Sequence, residues 1–178
     1  NRHLRPGQLR RQDLPRLVPV SDPLSNVAML AKIFLPKGAR VLPLNSEAAD
    51  YKLAGSAANA RLSDLHWPLD LVWLGMGADG HTASIFPGSD YEEALNPAKG
   101  VRAIGVRPDP FPPEAPVDRV TLTVPAIVEA RTTMLVINGA EKQQVLEQAI
   151  EEGKKSAYPV GRVIDALTVP VDIYCRSV

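Results

Sequence analysis

Between Leu71 and Gly88, three glycines (Gly75, Gly77, Gly80), the carboxylate of Asp79 and the imidazole of His81 follow directly on an apolar run. Imidazole is the side chain suited to moving protons near neutral pH, so His81 is the candidate general base or acid of this segment. Asp79, two residues earlier, is placed either to fix the His81 tautomer or to hold the loop. The glycines permit positive φ angles and let the backbone approach a ligand closely. Taken as a bare pattern, Gly75-x-Gly77-x-x-Gly80 also matches the dinucleotide fingerprint. That motif needs a helix opening at the last glycines and an acidic residue about 20 positions on. Pro87 and Gly88 would break a helix begun at Gly80 after roughly two turns, and positions 99–102 carry no carboxylate. The pattern therefore points to a reactive loop rather than a nucleotide cradle.

A loop of this kind needs a strand to carry it. Leu69, Leu71, Val72, Trp73 and Leu74 form a short apolar run that suits a strand buried on both faces of a parallel sheet. The carboxyl end of such a strand is where open α/β sheets bind ligands. The rest of the chain alternates strand-length apolar runs with segments of helical period, the pattern of parallel βα units. Strands are expected at Arg16–Val20, Ala39–Leu44, Val101–Val106, Asp118–Val124, Thr133–Ile137 and Val169–Tyr174. In Asp118–Val124, Val120, Leu122 and Val124 face one way and Arg119, Thr121 and Thr123 the other. Ser25 and Asn26 can cap a helix with Val27, Leu30, Ala31 and Phe34 on one face, ended by Pro36 and Gly38. Asn45 or Ser46 can open the next, whose small residues (Ala49, Ala54, Gly55, Ala57, Ala58) allow close packing on a sheet, although Gly55 weakens it. Pro125 suits the first turn of a short helix. Glu141–Glu152 is a helix with Val145, Leu146, Ala149 and Ile150 inward, and a short helix is expected around Val163.

At 178 residues the chain suits one domain with a substantial core. We divide it into an atypical basic tail, 1–15, carrying Arg2, Arg5, Arg10 and Arg11, and a single α/β domain, 16–178. The 20 lysines and arginines balance 20 aspartates and glutamates, so no overall positive field draws nucleic acid or an acidic membrane. No apolar stretch approaches the roughly 18 residues of a membrane span, and the start lacks the apolar centre of a signal peptide. A cytoplasmic protein acting on a small molecule, as a monomer or weak homo-oligomer, is the expectation. The lone Cys175 sits in an apolar run and reads as a buried structural thiol. His66 and His3 lack a comparable setting and read as solvated.

The loop motif Gly75-x-Gly77-x-Asp79-Gly80-His81-Thr82-Ala83-Ser84, followed by Phe86-Pro87-Gly88, resembles the signature of the 6-phosphogluconolactonases. Further segments are similar to that family in the same order: Arg16-Leu-Val-Pro19 with Ser25-Asn26, Arg119-Val-Thr-Leu-Thr-Val-Pro125, Gly139-x-x-Lys142 and Val169-Pro-Val-Asp-Ile-Tyr174. The resemblance covers essentially everything from Arg16 onward. It implies a Rossmann-like, mainly parallel sheet flanked by helices, of the sugar-phosphate isomerase-like (ribose-5-phosphate isomerase/CoA transferase-like) type. It also implies hydrolysis of 6-phosphoglucono-δ-lactone to 6-phosphogluconate, in the oxidative pentose phosphate pathway.

Lactone hydrolysis needs an activated water and donors aimed at the oxyanion, and neither task requires a metal or a redox cofactor. His81 is then the general base on water, with Asp79 fixing its tautomer or holding the loop and the amides near Gly77 to Gly80 as oxyanion donors. Arg119 and Lys142 match positions the family uses for phosphate, Lys142 at a helix opening that itself favours anions. Arg16 matches an arginine that the family places in an Asp-Glu-Arg-like segment, although Leu14-Pro15 stands where acidic residues are usual. Nothing before Arg16 resembles the strand-helix segment with a Gly-Gly-Ser-type phosphate loop with which family members begin. The resemblance therefore implies an N-terminally incomplete domain, and an inactive sugar-phosphate-binding remnant is the alternative to an active lactonase. The related amino-sugar-phosphate isomerases and deaminases share the Gly-x-Gly-x-Asp-Gly-His core but use a glutamate shortly after the histidine. Thr82 to Ser89 contains no carboxylate.

Overall fold

The computed structural model describes residues 17, 25–44, 50–88, 90–113 and 116–176. The tail 1–15, Arg16 and nearly all of the strand expected at 16–20 lie outside them. Helix α1, Asn26–Phe34, begins where expected: Ser25 caps it by accepting a hydrogen bond from Ala28 N. A 3-10 turn at Leu35–Lys37 and Gly38 at φ +78° end it. None of its residues is buried, so its apolar face is not covered by the described residues. The strand expected at Ala39–Leu44 is irregular chain without a ladder, because among the described residues no neighbouring strand pairs with it and Pro43 has no N–H to donate.

Helix α2, Tyr51–Leu62, starts later than Asn45 or Ser46, both outside the described residues. Its cap is Asp50, whose Oδ1 accepts from Lys52 N at 2.8 Å and Leu53 N at 3.2 Å. The small residues do allow close packing. A Cβ added at Gly55 would overlap the backbone of Gly105, and one at Gly105 the carbonyl of Tyr51. Gly55 costs the helix some intrinsic stability but is what lets α2 lie backbone to backbone on strand β2.

Strand β1, Val72–Gly75, leads into the reactive loop, which is followed by helix α3, Tyr91–Leu95. Strands β2, Ala103–Val106, and β3, Arg119–Leu122, form an antiparallel pair, where alternating βα units led us to expect parallel neighbours. Helix α4, Val124–Val128, has Pro125 in its first turn and Thr123 as cap. Strand β4, Thr133–Asn138, helix α5, Ala140–Glu152, helix α6, Pro159–Asp165, and strand β5, Val171–Arg176, complete the chain. The sheet order β1-β4-β5 is parallel throughout, which with its helices makes the α/β class expected.

One core joins the sheet, the β2–β3 pair and α4 to α6. Leu74, Ile85, Ile104, Ile127, Leu135 and Val160 are at its centre, each buried side chain stabilising by about 1.5–3 kcal/mol. Three burial expectations are corrected. β1 is buried on one face only: Val72 and Leu74 are inside and Trp73 is 65% exposed, because the described residues cover one face of the sheet. On α5, Leu146 and Ala149 are buried as expected while Ile150 is exposed, one position beyond the contact stripe. Cys175 is exposed rather than buried, because β5 is the outermost strand of its sheet among the described residues and they leave its faces largely uncovered. Among the described residues no helix is long and apolar enough to cross a membrane.

The backbone contact between α2 and β2 generates a stability prediction. Gly55→Ala should destabilise by about 3 kcal/mol, the upper end of overpacking costs. Gly100→Ala, at φ +84° with nothing within 4 Å, should cost only about 1–2 kcal/mol. Urea unfolding of both variants checks the order.

Candidate active site

Strand β1 ends at Gly75, and the chain then folds back on itself instead of entering a helix. Thr82 bridges to Met76 and to Ile85, and its Oγ1 donates to Gly75 O at 2.8 Å. Gly77 N donates to His81 O at 3.0 Å, Gly80 N to Gly77 O at 3.1 Å and Ile85 N to Thr82 O at 2.9 Å. Ile85, fully buried, anchors the far end in the core. Ala83, at φ +51°, is the non-glycine residue that adopts a left-handed backbone here, a strained conformation of the sort found at functional sites.

Three other elements hold the loop from outside. Lys142 Nζ, in the first turn of α5, donates to Met76 O at 2.8 Å. Val160 N, in the first turn of α6, donates to Gly80 O at 3.0 Å. Ser84 N donates to Thr121 Oγ1 of β3 at 3.1 Å. Gly80, at φ +77°, lies against the Tyr158 ring, which a Cβ there would strike. Because Gly75 pairs with Val136 in the parallel ladder, the loop and the start of α5 stand side by side at the carboxyl edge of the sheet, the position at which open α/β sheets bind ligands.

Within this frame Asp79 Oδ1 meets His81 twice. It accepts from the backbone N–H at 3.2 Å and lies 2.5 Å from ring Nδ1. The His81 side chain is 21% exposed and that of Asp79 57%, so the imidazole is sheltered yet reachable. Gly77 makes the pair sterically feasible, since a Cβ there would collide with both Asp79 Oδ1 and His81 Nδ1. The Gly77 and Gly80 amides are engaged inside the loop. The amides of Ala78 and Asp79 make no hydrogen bond among the described residues and are the donors left for an incoming oxygen.

Arg119, expected on the polar side of its strand, is half-buried, and that side is packed rather than solvated: Thr121 and Thr123 are 2% and 0% exposed. Thr121 receives the loop, and Thr123 caps α4 and donates to Val101 O. Phe86 links Arg119 to His81. Its ring centroid is 4.1 Å from that of the imidazole at 31°, and the Arg119 guanidinium carbon is 5.3 Å from its centroid. Next to Arg119, buried Asp118 accepts two hydrogen bonds from Arg107, at 2.7 and 2.6 Å. That bond holds the Arg107 guanidinium above its ordinary pKa and fixes the start of β3. A cavity of about 350 Å³, lined in part by Leu17, Ser25, Leu30, Val41, Ser84 and Arg119, opens beside this strand; His81 does not line it.

The expected residues His81, Asp79, Gly77 and Gly80 thus lie in one loop, Lys142 touches that loop, and Arg119 reaches it through Phe86. Arg16 lies outside the described residues, and His66 is exposed. Sequence reasoning assigned no role to Phe86, Thr121 or the Val160 amide. Phe86 was visible only as part of the Phe86-Pro87-Gly88 motif, and a backbone amide carries no sequence signal. Among the described residues no group of three or more His, Cys, Asp or Glu side chains is arranged to hold a metal ion.

Comparison with known proteins identifies relatives of this chain. A family model described as glucosamine-6-phosphate isomerases/6-phosphogluconolactonase matches residues 15–169. A 6-phosphogluconolactonase from Mesorhizobium japonicum is 38% identical over 163 residues, covering 89% of this chain and 66% of that protein. One from Rhizobium meliloti is 36% identical over 163 residues, covering 89% of this chain and 68% of that protein. The crystal structure of a 6-phosphogluconolactonase from Shewanella baltica superposes with a TM-score of 0.81 at 30% identity, covering 90% of this chain and 68% of that one. The chain therefore spans about two thirds of the length of these relatives.

The clearance at Gly77 is testable without any substrate. Gly77→Ala should leave the protein folded, with the His81 ring-proton resonances displaced as the added methyl separates the imidazole from Asp79. Unchanged His81 resonances in the variant would contradict the contact.

Proposed function

This chain belongs to the glucosamine-6-phosphate isomerase/6-phosphogluconolactonase family, and from that premise we propose that it hydrolyses 6-phosphoglucono-δ-lactone to 6-phosphogluconate. The observation that carries the reading is Asp79 Oδ1 at 2.5 Å from His81 Nδ1, on a loop at the carboxyl end of a parallel strand. The carboxylate accepts the Nδ1 proton, which leaves Nε2 with its lone pair free to take a proton from water. This is the tautomer in which the Asp79–His81 contact is a hydrogen bond from Nδ1–H to a carboxylate oxygen.

The activated water adds to the lactone carbonyl carbon, and the carbonyl oxygen becomes an oxyanion. The amides of Ala78 and Asp79 are the donors available to it, an arrangement that costs no reorganisation when the charge develops. As the intermediate collapses, the bond from the carbonyl carbon to the ring oxygen breaks and the imidazolium returns its proton to that oxygen. The products are the free carboxylic acid and a hydroxyl, so protons and electrons balance. Gly77 and Gly80 serve this step by shape, the first making room for the Asp79–His81 pair and the second fitting under Tyr158.

The phosphate end needs cations. Arg119 offers a planar fork suited to phosphate oxygens. Lys142 donates one of its three ammonium protons to Met76 O and keeps two for a ligand, beside the N-terminus of the 13-residue helix α5. Arg16 is the third cation we assign to the substrate, on its match to the family motif alone.

Lactone opening followed with a pH indicator, corrected for the spontaneous reaction, tests the proposal. His81→Ala should lower the catalysed rate by about 10²–10⁴, the usual contribution of a positioned general base. Asp79→Asn should fall between wild type and His81→Ala, since the base remains but its orientation is less well enforced. Ammonia release from glucosamine 6-phosphate should be undetectable. Equal lactone rates for wild type and His81→Ala would overturn the assignment.

A further inference from the structure

Phe86 is the part of the loop that neither proton transfer nor charge pairing with phosphate explains. It is 8% exposed, a burial that for phenylalanine normally means membership of an apolar core. Here it belongs to neither of the two buried apolar clusters. The described ring contacts of Phe86 are instead with polar groups, the His81 imidazole at 4.1 Å and the Arg119 guanidinium at 5.3 Å.

The backbone places it there. Ser84 N bonded to Thr121 Oγ1 locks the loop to β3, and Phe86 and Arg119 each stand two residues beyond that bond. They therefore meet across the junction that the bond fixes. Ile85, fully buried, and Pro87, with its restricted φ, limit the backbone on either side of the ring.

We propose that Phe86 is a positioning residue whose ring sets the spacing and tilt between the His81 imidazole and the Arg119 guanidinium, so that the carbonyl and the phosphate of one substrate are met together. The proposal rests on the lactonase reading for what the two groups bind. The ring is a rigid plane that attracts a cation at its face and stacks on an imidazole. An aliphatic side chain of similar volume fills the space but does neither. Small errors in the placement of reacting groups carry large rate penalties, so the loss should appear in function before it appears in folding.

Phe86→Leu, which keeps the apolar bulk, is compared with Phe86→Tyr, which keeps the ring. Three quantities are read: the ring-current shifts of the His81 protons, calorimetric affinity for 6-phosphogluconate, and kcat and KM for the lactone. Phe86→Leu should lose the ring-current shifts while unfolding as cooperatively as wild type. It should bind 6-phosphogluconate about tenfold more weakly and turn over about tenfold more slowly, the size expected for losing one ring–ring and one ring–cation contact. Phe86→Tyr should stay within about twofold of wild type on both measures. The proposal is overturned if Phe86→Leu binds and turns over like wild type, or if Phe86→Tyr is as impaired as Phe86→Leu. A wild-type protein that binds 6-phosphogluconate in a Phe86-dependent way but does not open the lactone would overturn the lactonase reading and leave the positioning role standing.

Discussion

A loop that presents a reactive imidazole has to satisfy its own backbone without a helix or a continuous ladder, and this requirement organises the whole site. Buried main-chain groups left unpaired cost about 1–3 kcal/mol each. Here the partners come from four directions: Thr82 within the loop, Lys142 from α5, Val160 from α6 and Thr121 from β3. Two of the elements that hold the loop, α5 and β3, also carry proposed phosphate-binding groups, Lys142 and Arg119. Lys142 shows this most directly, because the ammonium that secures Met76 O is the one proposed to meet the phosphate.

Shape then selects chemistry. Gly77 has no side chain because Asp79 and His81 occupy that space, and Gly80 has none because Tyr158 does. A pattern that by spacing alone resembles a dinucleotide fingerprint is thus built for a carboxylate–imidazole pair. Pro87 and Gly88 reinforce the difference, since the chain after Gly80 turns back toward the core at Ile85, and the next helix waits until Tyr91. The backbone contact of α2 with β2 supports the site from behind, because β2 pairs with β3 and β3 carries Thr121 and Arg119.

Local chemistry was legible in the sequence to the extent that it was local. Ser25 as a cap, Pro125 in a first turn, Gly38 after α1 and the loop around His81 are each encoded within a few residues, and each is found. What could not be read involves partners distant in the chain. Nothing near Gly55 announces that Gly105 will lie against it, and nothing near Phe86 announces Arg119. Burial failed for the same reason: Trp73, Ile150 and Cys175 are apolar residues in well-formed elements, yet whether such residues are covered depends on which layers and neighbouring strands pack on them. The antiparallel β2–β3 pair was also hidden, since the proline-rich connection between its strands looks like any long crossover.

The central claim is that the clamped loop makes Asp79 hold the Nδ1 proton of His81 and leave Nε2 bare toward the substrate. Long-range proton–nitrogen correlation spectra of the protein labelled with nitrogen-15 in histidine read this directly, at a pH where the imidazole is neutral. The account predicts that His81 is protonated at Nδ1 and unprotonated at Nε2, and that Asp79→Ala shifts the balance toward Nε2–H. An Nε2–H tautomer in the wild-type protein would contradict it.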